Sequence, residues 1–166
     1  MDVYEAIEKR KSIRKFRADT VQDDLVIKIL NAGIQAPNAF NREPWEFIIV
    51  NDPSLRDKIA GMRSKIPPQK TALETAPVLI VVCYNSELGA DALASTYACI
   101  ENMLLAATAE GLGTVTVTFH GKKLRTLLDI PEDIEVATVM PLGYPAENPT
   151  KPPRVPVTEK IHIDKF

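Results

Sequence analysis

Helical and strand signals alternate along one unbroken chain, and together they predict a single domain of mixed α and β structure covering residues 1–166. Three observations carry that prediction. Apolar, β-branched runs of strand length recur at Phe47–Val50, Val78–Tyr84, Thr114–Phe119 and Ile134–Leu142. Amphipathic segments with capping residues lie between them. No internal repeat or composition break divides the chain.

The first helix opens at Asp2, with Glu5 three residues later completing a capping box and Val3, Ala6 and Ile7 forming its apolar stripe. It ends at Arg10, and Ser12–Arg17 is expected to be extended. Thr20 and Asp23 repeat the capping pattern before Leu25, Val26, Ile29 and Leu30. The stretch Ala36–Trp45 contains two prolines and two asparagines and reads as a loop, followed by the buried strand Phe47–Val50. Asp52-Pro53 starts a third helix, carrying Leu55 and Ile59 inward. The pattern weakens around Pro67-Pro68, where a loop and a short helix are expected before the central strand Val78–Tyr84. The longest helix runs from Ala92 to about Glu110 and is apolar nearly all round, which predicts burial as a central helix or in a dimer interface. Gly111-Leu112-Gly113 ends it. In the next strand Thr114, Thr116 and Thr118 share one face, and Val115, Val117 and Phe119 the other. A short helix around Leu124–Leu128 precedes the strand Ile134–Leu142. Residues 145–166 form a proline-rich extended arm ending in a strand, Val157–Ile163, that must pair with a sheet edge of its own or of a partner.

Composition bounds the function. The chain is 45% hydrophobic and 25% charged, with net charge −2, which excludes disorder and any whole-surface attraction to nucleic acid or acidic membranes. Cys83 and Cys99 lie in apolar runs without metal-ligand spacing and are expected to be reduced thiols. No leader pattern opens the chain, and Glu101 and Asn102 interrupt its most apolar long segment, so a cytoplasmic protein without a membrane span is expected. The glycines at 111 and 113 follow a helix and lack a third glycine, so a dinucleotide-binding fingerprint fails. His120 and His162 are too far apart to make a metal pair on one helix, and no metal site is expected.

What remains is anion binding and amide recognition. Arg10, Lys11, Ser12 and Arg14 form either a solvated helix end or a phosphate site. Asn38 and Asn41 either shape their loop or read the edge of a heterocycle.

Taken in order, Arg10-Lys11-Ser12-Ile13-Arg14, Ala36-Pro37-Asn38 through Asn41 to Pro44-Trp45, Glu101–Ala107 with Gly111-Leu112-Gly113, and Pro141–Pro145 resemble the nitroreductase family over almost the whole chain. That resemblance implies an α+β fold, a mainly antiparallel sheet with helices on both faces. It also implies a homodimer with FMN at the interface and the C-terminal strand exchanged between subunits. Arg10 and Ser12, with Lys11 beside them, would hold the FMN phosphate or ribityl chain, and Arg154 would close on the phosphate. Arg14 would stabilise the negative charge that collects near flavin N1 and O2 on reduction. Asn41 would read the pyrimidine edge, with Asn38 nearby, while Thr118 and Phe119 would present a backbone N–H to flavin N5. The implied reaction is ping-pong transfer from NADH or NADPH, through the flavin, to a flat electron-poor small molecule such as a nitroaromatic or quinone, with no side chain as nucleophile. Alternatives are a specialised flavoenzyme of the same fold (dehalogenase, flavin-fragmenting or dehydrogenase) and a flavin-binding protein without turnover.

Several positions depart from the family pattern. Asn38 stands where serine is common, Glu43 where glutamine is, and Phe119 where glycine is, so the phenyl ring is expected to narrow or line the substrate side. The extra Pro153 displaces Lys151 from its usual spacing to Arg154. Little chain separates Cys83 from Ala92, where longer members insert covering helices, and a more open flavin is expected.

Overall fold

A computed structural model describes residues 1–166. Six helices, α1 (Val3–Lys9), α2 (Asp23–Gly33), α3 (Pro53–Gly61), α4 (Pro67–Thr75), α5 (Ala92–Ala109) and α6 (Lys122–Leu127), surround four strands, β1 (Trp45–Val50), β2 (Val78–Asn85), β3 (Gly113–Thr114) and β4 (Ile134–Gly143). The strands form one antiparallel sheet in the order β1-β2-β4-β3. The expected α+β architecture is therefore present.

Period-two alternation makes the sheet the middle of three layers. From β2, Val78, Ile80 and Val82 join Val26, Ile29, Cys99, Ile100 and Met103 in a core beneath α2 and α5. Leu79, Val81 and Cys83 point the other way, toward Ile59, Leu73, Leu124 and Val139 beneath α3, α4 and α6. A strand buried on both faces reads as an unbroken apolar run, as Val78–Cys83 does. β1 is an edge strand and only half buried, so Phe47–Val50 is less central than expected.

The capping box of Asp2 and Glu5 forms as expected, and Asp52 caps α3 by accepting from the Leu55 N–H at 2.7 Å. Thr20 does not cap α2. Its N-cap is two residues later, at Gln22, which makes no side-chain cap, with Asp23 and Asp24 placing negative charge in the first turn. In α1, Val3 and Ile7 are exposed beside Tyr4, and only Ala6 is buried. The stripe read as core is therefore an outward apolar face, although α1 does pack on α5. Leu93 and Tyr97 of α5 are exposed in the same way.

The strand expected over Thr114–Phe119 is interrupted. Gly113 pairs with Gly143, Thr114 with Leu142 and Val117 with Val139, but Val115 and Thr116 form no ladder. In that register Val115 falls opposite Pro141, which has no N–H to give. The expected strand Val157–Ile163 is not formed in the single chain either. Val157–Lys160 make a short 3-10 turn, and Ile161 and Ile163 are exposed with no backbone pairing to a strand.

Candidate functional site

The N-terminal segment and the C-terminal arm build one wall together. Ser12 bridges Thr114 in parallel, with the Ile13 N–H donating to the Thr114 carbonyl at 2.9 Å. This close approach needs a glycine at 113, where a Cβ would stand 2.8 Å from Ile13 side-chain atoms. On the other side of Ser12–Arg17 runs the arm. The Arg17 N–H donates to Tyr144 O and the Ala146 N–H to Lys15 O, each at 2.9 Å, and the Arg14 N–H donates to Glu147 Oε1 at 2.5 Å. An extended proline-rich arm has no internal hydrogen bonds, so these external partners fix its course.

That course closes a polar cavity of about 310 Å³ lined by Arg10, Lys11, Ser12, Arg14, Lys151 and Arg154 among others. No carboxylate lies within 4.0 Å of the Arg14 or Arg154 guanidinium. Arg10 Nε sits 3.6 Å from Glu101 Oε1, a half-exposed carboxylate that leaves the other Arg10 nitrogens unpaired. Lys11 Nζ donates to Asn148 Oδ1, and the Ser12 hydroxyl and N–H donate to nothing in the chain. Several cations, two guanidinium forks and a free hydroxyl suit a multiply charged oxyanion such as a phosphate.

Lys151 has another role. Its ammonium donates to the carbonyls of Ile7 at 2.9 Å and Glu8 at 3.1 Å, closing the C-terminal end of α1. The displacement seen in the sequence thus turns this lysine onto the helix end.

Ser12 lines the cavity and bridges Thr114, from which the chain runs into Val115–Phe119. Thr116 and Thr118 are exposed, while Val115, Val117 and Phe119 are buried. The Phe119 ring, 8% exposed, belongs to the core beneath α3, α4 and α6, so it does not line a substrate surface as expected. The N–H groups of Thr118 and Phe119 donate to nothing within the chain. Arg63, which drew no attention in the sequence, lies over the Phe119 ring and donates to the Thr118 carbonyl.

Asn38 and Asn41 are not part of this wall. They precede β1, at the sheet edge opposite β3, and three strand spacings amount to roughly 14 Å. Asn38 Oδ1 accepts from the Glu43 N–H at 2.8 Å, so this side chain shapes its own loop. The Asn41 amide makes no hydrogen bond, and it sits on a loop where Phe40, Asn41 and Glu43 all adopt positive φ, of 55°, 53° and 46°. Such backbone strain in non-glycine residues tends to gather at binding loops. The Ala39 N–H donates to Ser95 Oγ at 3.2 Å, and Arg42 Nη1 to Leu88 O at 2.8 Å, which tie the loop to the start of α5 and to the short β2–α5 connection.

Cys83 and Cys99 are buried in different cores, and burial pushes both thiols up to about 12. Neither is a nucleophile at neutral pH.

The sequence profile described as the Nitroreductase family matches residues 7–144. A protein of Methanothermobacter thermautotrophicus, provisionally named NADH dehydrogenase/NAD(P)H nitroreductase, is 37% identical over 175 residues, covering 100% of this chain and 88% of its own length. The iodotyrosine deiodinase of Nematostella vectensis is 26% identical, over 91% of this chain and 70% of its own. Among solved structures, a provisionally named nitroreductase of Desulfovibrio desulfuricans in complex with FMN superposes with a TM-score of 0.86 at 29% identity, covering 100% of this chain and 98% of that one.

Proposed function

The chain belongs to the nitroreductase family, and from that membership we propose that it is an FMN-dependent oxidoreductase taking electrons from NADH or NADPH and delivering them to a flat, electron-poor small molecule such as a nitroaromatic or quinone. One observation carries the reading: Ser12 of a cation-lined cavity bridges Thr114, and the chain runs on from there to Thr118 and Phe119, whose backbone N–H groups have no partner. The first part matches a phosphate and the second the rim of a planar heteroaromatic ring. FMN supplies the electron chemistry when bound.

The side chains then divide the work. Arg10, Ser12 and Arg154 hold the phosphate, with Lys11 tethered beside them by Asn148. Arg14, whose guanidinium has no carboxylate within 4.0 Å, lends its charge to the region where electrons accumulate. The Phe119 N–H is the donor toward flavin N5. Asn41 completes the site from a second subunit, because within one chain its loop stands across the sheet from the cation wall. The outward apolar residues Tyr4 and Ile7 of α1 and Leu93 and Tyr97 of α5 support such a homodimer, as do Ile161 and Ile163 of the arm. The arm is then the segment exchanged between subunits.

The test is direct. The purified protein should take up added FMN with the absorption bands of a bound flavin, and should oxidise NADH or NADPH in the presence of a nitroaromatic. A preparation that leaves added FMN free in solution overturns the proposal.

Reductive dehalogenation is a second reading, favoured by the likeness to iodotyrosine deiodinase. The connection from β2 to α5 is short here, a single 3-10 turn at Ser86–Leu88, and supplies little to cover a bound halotyrosine. Turnover of iodotyrosine in preference to nitroaromatics would establish this reading instead.

A further inference from the structure

The peptide unit joining Thr118 to Phe119 has two polar ends, and the chain uses only one. Its carbonyl oxygen accepts a hydrogen bond from Arg63 Nη2, while its N–H, that of Phe119, has no partner. No peptide bond in the chain is cis, and in a trans peptide the C=O and N–H point in opposite directions. Whatever holds the carbonyl therefore fixes the N–H on the opposite side of the peptide.

Arg63 is well placed to do this. It follows α3 in a tight turn, its N–H donating to Ala60 O at 2.9 Å. Its guanidinium carbon lies 4.0 Å from the centroid of the Phe119 ring. The ring is packed in the core with Ile59, Leu124 and Val139, so the platform beneath the cation is fixed. The guanidinium has no carboxylate within 4.0 Å, and its Nε is buried without an acceptor. Burial lowers the Arg63 pKa from its ordinary value, which lies so high that the group stays charged. A largely uncompensated cation thus bears on one carbonyl and on one ring buried beneath it.

We propose that Arg63 is a positioning residue for the flavin. It locks the Thr118–Phe119 peptide with its N–H outward, polarises that N–H into a stronger donor, and so raises the reduction potential of bound FMN. The inference rests on the FMN reading above. A cation on the carbonyl end draws electron density along the amide, and hydrogen-bonded chains of this kind strengthen one another. A stronger donor at the flavin edge favours the electron-rich reduced form over the oxidised one. The sequence gives no hint of the pairing, because Arg63 and Thr118 are 55 residues apart and Arg63 lies in a stretch of weak periodicity.

The experiment measures FMN affinity by fluorescence quenching and midpoint potential by dye equilibration, on the FMN-loaded full chain and its variants. Arg63→Met keeps the apolar stem and removes the fork. It should bind FMN within about threefold of the parent, yet shift the reduction equilibrium about tenfold toward oxidised flavin, about 30 mV for a two-electron couple. Arg63→Lys keeps the charge without the planar fork, and should recover less than half of that shift. Phe119→Leu removes the platform and keeps the peptide, so it should lower the potential even if Arg63→Met fails to fold. A purely structural arginine would lower the melting temperature of these variants and leave their potentials at the parent value, which overturns the proposal. Full recovery by Arg63→Lys also overturns it, assigning the effect to charge alone. If the parent chain binds no FMN, the flavin reading itself fails and this inference with it; normal binding with unmoved potentials defeats the Arg63 role alone.

Discussion

Replacing Arg10 by alanine separates binding from folding, because its side chain, 23% exposed, has a single weak ion pair as its only polar partner within the chain. Its one ion pair, 3.6 Å from Glu101 Oε1, involves a carboxylate whose side chain is 54% exposed. Exposed pairs of this kind contribute about 0–1 kcal/mol. The Arg10 backbone N–H, which closes α1 on Ala6 O at 2.9 Å, survives the substitution. Loss of the pair should therefore cost folding at most about 1 kcal/mol, roughly 2–4 °C in Tm for a chain of this size, with lost packing of the covered stem adding to it. Binding loses a charge-assisted bond to the phosphate worth about 1.5–3 kcal/mol. At 1.4 kcal/mol per factor of ten, FMN Kd should rise about 10- to 150-fold. The assay is fluorescence titration of FMN at moderate salt, beside a thermal melt of each apoprotein. Glu101→Gln is the companion, since it frees Arg10 and removes a negative charge, and FMN should bind it as tightly as the parent or more so. An Arg10→Ala protein with parental melting and a Kd within twofold of the parent would remove Arg10 from the site.

Other outcomes follow from the same geometry. Lys151→Met should lower stability by about 1 kcal/mol, through the lost bonds to the Ile7 and Glu8 carbonyls, and change FMN Kd less than threefold; a tenfold loss of affinity would put this lysine on the phosphate after all. Deleting the residues after Pro156 should convert the proposed homodimer to monomer in analytical ultracentrifugation, whereas an unchanged sedimentation coefficient, after allowing for the lost mass, would show that the arm is not exchanged. The thiols fix an alkaline limit. Cys83 and Cys99 have folded values raised by burial to about 12, so the folded chain holds protons that the unfolded chain releases from about pH 9. Their stabilising effect is complete below that pH and is lost as pH rises from about 9 to 12. Urea melts across that range should show the midpoint falling, and replacing both thiols by alanine should flatten that part of the profile.

Much of the fold was legible because it depends on spacing along the chain. Val78–Cys83 read as a doubly buried strand, and Asp2 with Glu5, and Asp52 with Pro53, read as helix starts. All of these follow from backbone period and local capping chemistry. Misreadings arose where a partner far along the chain decided the outcome. The Val3 and Ile7 stripe has the right helical spacing, but spacing says nothing of which layer covers it. Pro141 breaks a ladder belonging to residues well upstream. The terminal segment has strand composition, yet within one chain it pairs with no strand.

The candidate site divides in the same way. By itself the sequence determined the chemical inventory: cations at 10, 11, 14 and 154, a serine at 12, and a glycine at 113. Residue type and local spacing fix these, because charge and the lack of a Cβ belong to the residue. Only the tertiary structure decided what each group does. It turned Lys151 onto the end of α1, sank the Phe119 ring into the core, committed the Asn38 amide to its own loop, and set Arg63 against the Thr118 carbonyl. Those assignments depend on directions in space between segments far apart in sequence, and such directions are set by packing across the sheet and by the path of the arm, not by any local repeat.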